Sequence, residues 1–128
     1  SIFISAKADA SLENQYLEKI QIIKGVLKGD EIHTTVIDVI DDQQTTLDES
    51  SCEIIGKGKK SICAVWHDPN FENQENAYYY ARIVANKSCR WSHKLCISNP
   101  DYCTDDSDFE TSEFIQERAW TSPIWLEY

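Results

Sequence analysis

Methionine is missing from this chain altogether, and glycine and proline occur only four and three times in 128 residues. Because translation begins with Met, Ser1 is expected to be a processed or trimmed terminus, left by removal of a signal peptide or by a cut in a longer precursor. So little Gly and Pro, with no low-complexity tract, excludes a linker-like or disordered chain. No stretch approaches the roughly 20 apolar residues of a membrane-spanning helix. Basic residues are few and scattered, 12 against 22 acidic, for a net charge of −10. Nucleic-acid binding needs a basic face that releases phosphate counterions, so that class is excluded. Motifs of chemistry are also missing: there is no G-x-S-x-G, no P-loop, no dinucleotide fingerprint and no H-E-x-x-H. No catalytic residue is assigned.

What is present reads as one all-β domain over residues 1–128, a length that buries enough surface for a single core. Ile2 to Ala8 is strand-like from the outset, which suggests a polypeptide that once continued upstream. Leu17 to Val26 and Glu31 to Ile40 are rich in β-branched residues, and Lys28-Gly29-Asp30 between them has turn chemistry, predicting a hairpin. Asp41 to Ser51 is polar without an apolar repeat and reads as a loop. Gly56 to Lys60 is a second connection, and Ser61 to His67 resumes strand character up to the turn Asp68-Pro69-Asn70. Ala77 to Ala85 alternates a small or aliphatic face (Ala77, Tyr79, Ala81, Ile83) with an aromatic, amphipathic one (Tyr78, Tyr80, Arg82, Val84). Ser98 to Glu113 reads as a long polar surface loop. Arg118 to Leu126 is again β-forming, with Pro123 confined to an edge or bulge. The helix candidate is Ala10 to Tyr16. Six or seven strands without crossover helices predict an antiparallel β-sandwich of the immunoglobulin or fibronectin kind.

Cys52, Cys63, Cys89, Cys96 and Cys103 are many for a reduced compartment, so an oxidising location, secreted, periplasmic or at the cell surface, is expected. Five cysteines allow at most two internal bridges and leave one thiol free or paired with a partner. The cysteines are separated by ten, twenty-five, six and six residues, unlike the close pairs of zinc sites. A bridge from Cys89 to Cys96 would close a short loop and hold Trp91 against the sandwich. His33, His67 and His93 are 34 and 26 residues apart and read as surface or strand histidines. The acidic cluster Asp101, Asp105, Asp106, Asp108 and Glu110 is the candidate Ca²⁺ site, the alternative being a solvated loop, since EF-hand spacing is not met. Asn86-Lys87-Ser88 matches the glycosylation pattern. Tyr78, Tyr80, Trp120 and Trp125 form a candidate aromatic contact patch for glycan or a partner, core packing being the alternative.

Four segments, LEKIQIIKG (17–25), CAVWHDPNF (63–71), AYYYARIVANKSCRWS (77–92) and IQERAWTSPIW (115–125), resemble the C-terminal region of the bacterial family catalogued as domain of unknown function 3604. The resemblance implies a β-rich terminal region of a long, exported protein. The N-terminal part of such proteins resembles metal-dependent phosphoesterases of the PHP type and would lie upstream of Ser1, so no metal or catalytic residue carries over. It also implies Cys52 with Cys63 and Cys89 with Cys96 as pairs, leaving Cys103 over. The expected function is a non-catalytic module that packs on, or assembles with, another polypeptide, either the rest of a precursor or a neighbouring subunit. The alternatives are the C-terminal piece of an exported metal-dependent hydrolase, and a surface binder or filament subunit.

Overall fold

Gly29 adopts the left-handed conformation, φ 64°, that a two-residue hairpin needs, and it joins β2 (Leu17–Lys28) to β3 (Glu31–Asp41) with Lys28 opposite Glu31. This is the hairpin the sequence predicts. The computed structural model describes residues 1–72, 76–103 and 112–128. Among these the strands are β1 (Ile2–Lys7), β2, β3, β4 (Thr45–Asp48), β5 (Glu53–Gly56), β6 (Ser61–Trp66), β7 (Ala77–Cys89), β8 (Phe114–Trp120) and β9 (Ile124–Leu126). A short helix α1 (Trp91–Ser98) and a single 3₁₀ turn (Pro100–Tyr102) follow β7.

β7 is the central strand. It pairs antiparallel with β2 along one edge and with β8 and then β9 along the other, so the five-stranded sheet runs β3-β2-β7-β8/β9. Pro123 lies between β8 and β9, where its missing N–H costs no ladder bond. β1 and β6 form a separate two-stranded antiparallel sheet, and β4 and β5 a small hairpin.

The core lies between the two-stranded and the five-stranded sheet. Ile4 and Ile62 from the first, and Ile20, Ile22, Val26, Ala77, Tyr79, Ala81 and Ile83 from the second, form one buried cluster. The period of two that sends these residues inward sends Tyr78, Tyr80 and Arg82 outward. The result is the expected antiparallel sandwich, stapled by two disulfides.

Four local expectations are corrected. Ala10 to Tyr16 is not helical but a pair of turns, because Asp9 accepts from both the backbone and the hydroxyl of Ser11 and so competes with helix formation. The helix lies instead at Trp91–Ser98, with no buried residue and hence no apolar stripe to reveal it. Within the stretch 41–51, β4 forms because the far side of its hairpin, β5, supplies a ladder.

The fourth correction concerns the cysteines: the bridges are Cys52–Cys89 and Cys96–Cys103, and Cys63 is the free, exposed thiol. Cys63 alternates with the inward Ile62 and Ala64 of β6 and so lies on the exposed side of that strand. Cys52, in the β4–β5 turn, meets the end of β7 with its Cα 5.7 Å from that of Cys89. α1 then carries Cys96 more than a helical turn onward, next to Cys103. Trp91 is not held against the sandwich; it is 75% exposed.

Candidate docking face

The outer side of the five-stranded sheet is built from four cross-strand rows fixed by register. Ile32 lies opposite Leu27. Thr34, Gly25, Tyr78 and Trp125 form the second row, and Val36, Ile23 and Tyr80 the third. Asp38, Gln21, Arg82 and Trp120 form the fourth.

Gly25 is what lets the second row lie flat. A Cβ there would collide with the Tyr78 ring, so the absent side chain makes room for that ring to cross β2 toward Thr34, whose hydroxyl lies 3.5 Å from the phenol. Tyr78 stacks on Tyr80 with centroids 6.1 Å apart and meets Trp125 at 5.4 Å. Around these rings Ile32, Val36, Leu27, Trp120 and Trp125 all remain exposed, Trp125 at 65%. Leu27, Ile32, Tyr78, Trp125 and Tyr128 line a groove of about 400 Å³ at the hairpin end.

The polar members of the fourth row, Asp38, Gln21 and Arg82, are linked to one another. Arg82 Nε donates to Gln21 Oε1 at 2.7 Å, and Gln21 Nε2 donates to Asp38 Oδ1 at 2.6 Å. An apolar field bounded by such a row has the composition of a protein contact surface, with an aromatic and aliphatic centre and a polar rim.

The sequence reading missed a second polar constellation, on the inner face. Lys24 continues the inward series Ile20, Ile22, Val26, and its ammonium lies 2.7 Å from Asp68 Oδ2. The Tyr79 hydroxyl donates to the same oxygen at 2.7 Å, and the Asn70 amide donates to the other at 2.9 Å. Burial pushes the Asp68 carboxyl up, but the hydrogen bonds from Lys24, Tyr79 and Asn70 outweigh it and hold the group below its ordinary value. Burial would pull Lys24 down, yet Asp68 keeps it above its ordinary value, while burial and Asp68 together raise Tyr79. All three groups move away from neutrality, the reverse of what an acid or base poised near pH 7 requires. The cluster is an anchor for the Asp68-Pro69-Asn70 turn. A lysine in a core position of a strand was the signal available.

Glu18 is another buried charge. Burial raises its carboxyl, against hydrogen bonds from Thr45 and Gln116. The Asn86 of the glycosylation pattern is 3% exposed. It accepts from the Tyr16 amide and donates to the Asn14 carbonyl, so it ties the 9–16 segment to β7.

The structure therefore brings Tyr78, Tyr80 and Trp125 together in contact and places Trp120 on the same face, opposite Arg82. Of the acidic Ca²⁺ candidates, Asp101 lies in the 3₁₀ turn, where its amide caps on Asn99; Asp105, Asp106, Asp108 and Glu110 lie outside the described residues. His33 is exposed on β3, His67 accepts or donates to the Ser1 hydroxyl at 2.8 Å, and His93 lies on α1. No helix among the described residues is long and apolar enough to cross a membrane.

No curated protein and no solved structure matches the chain. The four segments that carry the resemblance form β2, the β6 strand with its following turn, β7 with the start of α1, and the β8–β9 edge. A family model does match, from residue 1 to residue 128, and the chain belongs to the family described as protein of unknown function DUF3604.

Proposed function

We propose that this chain is a non-catalytic, extracytoplasmic β-sandwich module that packs on another polypeptide through the outer face of its five-stranded sheet. The observation that supports the reading is the group of exposed apolar side chains Leu27, Ile32, Val36, Trp120 and Trp125 around the half-buried rings of Tyr78 and Tyr80 on one face of the sheet, as seen among the described residues. An apolar face of this extent in contact with water is costly at ~25 cal/mol per Å², and covering it with a partner recovers that energy. The partner is the remainder of a longer precursor or a neighbouring subunit. Two disulfides support an oxidising location, whether secreted, periplasmic or at the cell surface.

The test is site-specific photocrosslinking in the source cell, with a photoreactive phenylalanine at Val36 on the face and at Glu53 on β5 as the control. A single polypeptide captured from position 36, absent from position 53 and lost when Trp125→Ser is added, supports the reading. No capture from the face, or capture indifferent to Trp125→Ser, overturns it.

A further inference from the structure

The geometry points to a sugar-binding site: an open cavity of about 490 Å³ between the start of α1, the 11–15 turn, the β4–β5 hairpin and β8. No residue of the four outer-face rows lines it, so it is separate from the docking face. Its volume falls within the ~300–1,000 Å³ of small-ligand sites.

Arg90 carries the argument. Its Nε is enclosed by protein and has no hydrogen-bond partner, and among the described residues the rest of its guanidinium forms no hydrogen bond or ion pair either. A polar atom held in that state calls for an explanation. Only Nε of this half-buried side chain is sealed, so Nη1 and Nη2 are the donors left for a ligand, in a planar fork that loses little freedom on bonding. Lys94 lies four residues on, on the same side of α1. Gln15, Glu13 and Glu117 also line the cavity, and among the described residues the side chains of these four make no hydrogen bond or ion pair. Trp91 completes the lining, 75% exposed and stacked on no other ring among the described residues.

Donors on cations and acceptors on carboxylates therefore share one cavity without pairing with each other. A sugar hydroxyl is donor and acceptor at once, so neighbouring hydroxyls accept from Arg90 and Lys94 while donating to Glu13 or Glu117. The C–H face of a pyranose ring lies on the Trp91 indole. A purely apolar ligand would leave the guanidinium unpaired at a cost, and a polyphosphate would meet two carboxylates.

The walls are fixed before any ligand arrives. The Cys52–Cys89 bridge lines the cavity and ties the β4–β5 hairpin to β7. Asn86 accepts from the Tyr16 amide at 2.7 Å and donates to the Asn14 carbonyl at 3.1 Å, which holds the 11–15 turn. The Arg90 amide donates to the Glu113 carbonyl at 2.9 Å, which holds the start of α1 to the chain entering β8. Such preorganisation lowers the ordering cost of binding.

The experiment is isothermal titration of the full chain, disulfides intact, with cello-, chito-, xylo-, manno- and polygalacturonate tetrasaccharides and with their monosaccharide units. The expected result is saturable one-to-one binding of at least one probe, weakened roughly tenfold or more by Trp91→Ala and by Arg90→Met, kept by Trp91→Phe, and unchanged by Trp125→Ser on the docking face. Binding of a tetrasaccharide alone assigns the site to a polymeric glycan, and equal binding of its monosaccharide to a free sugar. No saturable binding of any probe overturns the proposal, as does binding that Trp91→Ala leaves intact or that Trp125→Ser abolishes. Trp91 sits on a helix that buries no residue, so Trp91→Ala keeps the fold and decides the matter if Arg90→Met lowers the β-sheet circular dichroism.

Discussion

Replacing Asp68 by Ala removes the acceptor of three hydrogen bonds and the charge opposite Lys24, in a place where the two side chains are only 9% and 10% exposed. Breaking a buried pair by deleting one partner costs ~3–5 kcal/mol. The lower end applies, about 3 kcal/mol, because the Lys24 ammonium keeps the Asn70 carbonyl at 3.1 Å. For a domain of this size that corresponds to a fall in Tm of roughly 10 °C or more. Urea unfolding followed by circular dichroism at neutral pH measures it, and a Lys24→Met/Asp68→Leu double variant supplies the control. Removing both charges is close to neutral where removing one is not, so the double variant should be clearly more stable than Asp68→Ala.

The sign of the pH dependence follows from the lowered Asp68 carboxyl. A depressed folded value means that its stabilisation is complete above the ordinary 3.8 and is lost as pH falls through the lower folded value. The gap between wild type and Asp68→Ala should therefore hold constant from pH 7 down to about 4 and close only below it. A difference at neutral pH within about 0.5 kcal/mol of zero would refute the assignment of this cluster as a structural anchor, since that is the range of surface changes.

Three further outcomes are expected. Cys52→Ala/Cys89→Ala should cost about 4 kcal/mol and Cys96→Ala/Cys103→Ala about 2, because the closed loops span 37 and 7 residues and loop entropy grows with length; equal losses in denaturant midpoint would contradict this. Native, unreduced protein should react with one equivalent of a thiol-specific disulfide reagent, and peptide mapping should place the label on Cys63; label on Cys103 would reverse the pairing. Gly25→Ala should displace the Tyr78 ring, change the near-ultraviolet circular dichroism that arises from Tyr78, Tyr80 and Trp125, and destabilise by ~1–3 kcal/mol as overpacking does. An unchanged aromatic spectrum would show that Tyr78 does not lie across Gly25.

The strands were legible wherever residues of alternating character ran for long enough. In Ala77 to Ile83 the alternation alone separates the inward Tyr79 and Ala81 from the outward Tyr78 and Tyr80, and burial follows it. The turn at Gly29 and the position of Pro123 were legible too, because φ > 0 and a missing N–H are properties of single residues. α1 was not, since a helix that buries nothing leaves no periodic trace. Lys24 was also overlooked, although its place between Ile22 and Val26 marks it as inward-facing.

By itself, then, the amino-acid order determined an all-β chain, the inward and outward members of β7, and an odd cysteine left over from two bridges, since each depends on neighbours along the chain or on a simple count. Only the tertiary structure decided that Cys52 meets Cys89, that Asp68 neutralises Lys24 across 44 positions, and that Leu27, Ile32, Val36, Trp120 and Trp125 come to lie exposed on one face of the large sheet. Those outcomes depend on which layers stack and in what register, and two residues far apart in sequence share a distance only after every intervening element has been placed.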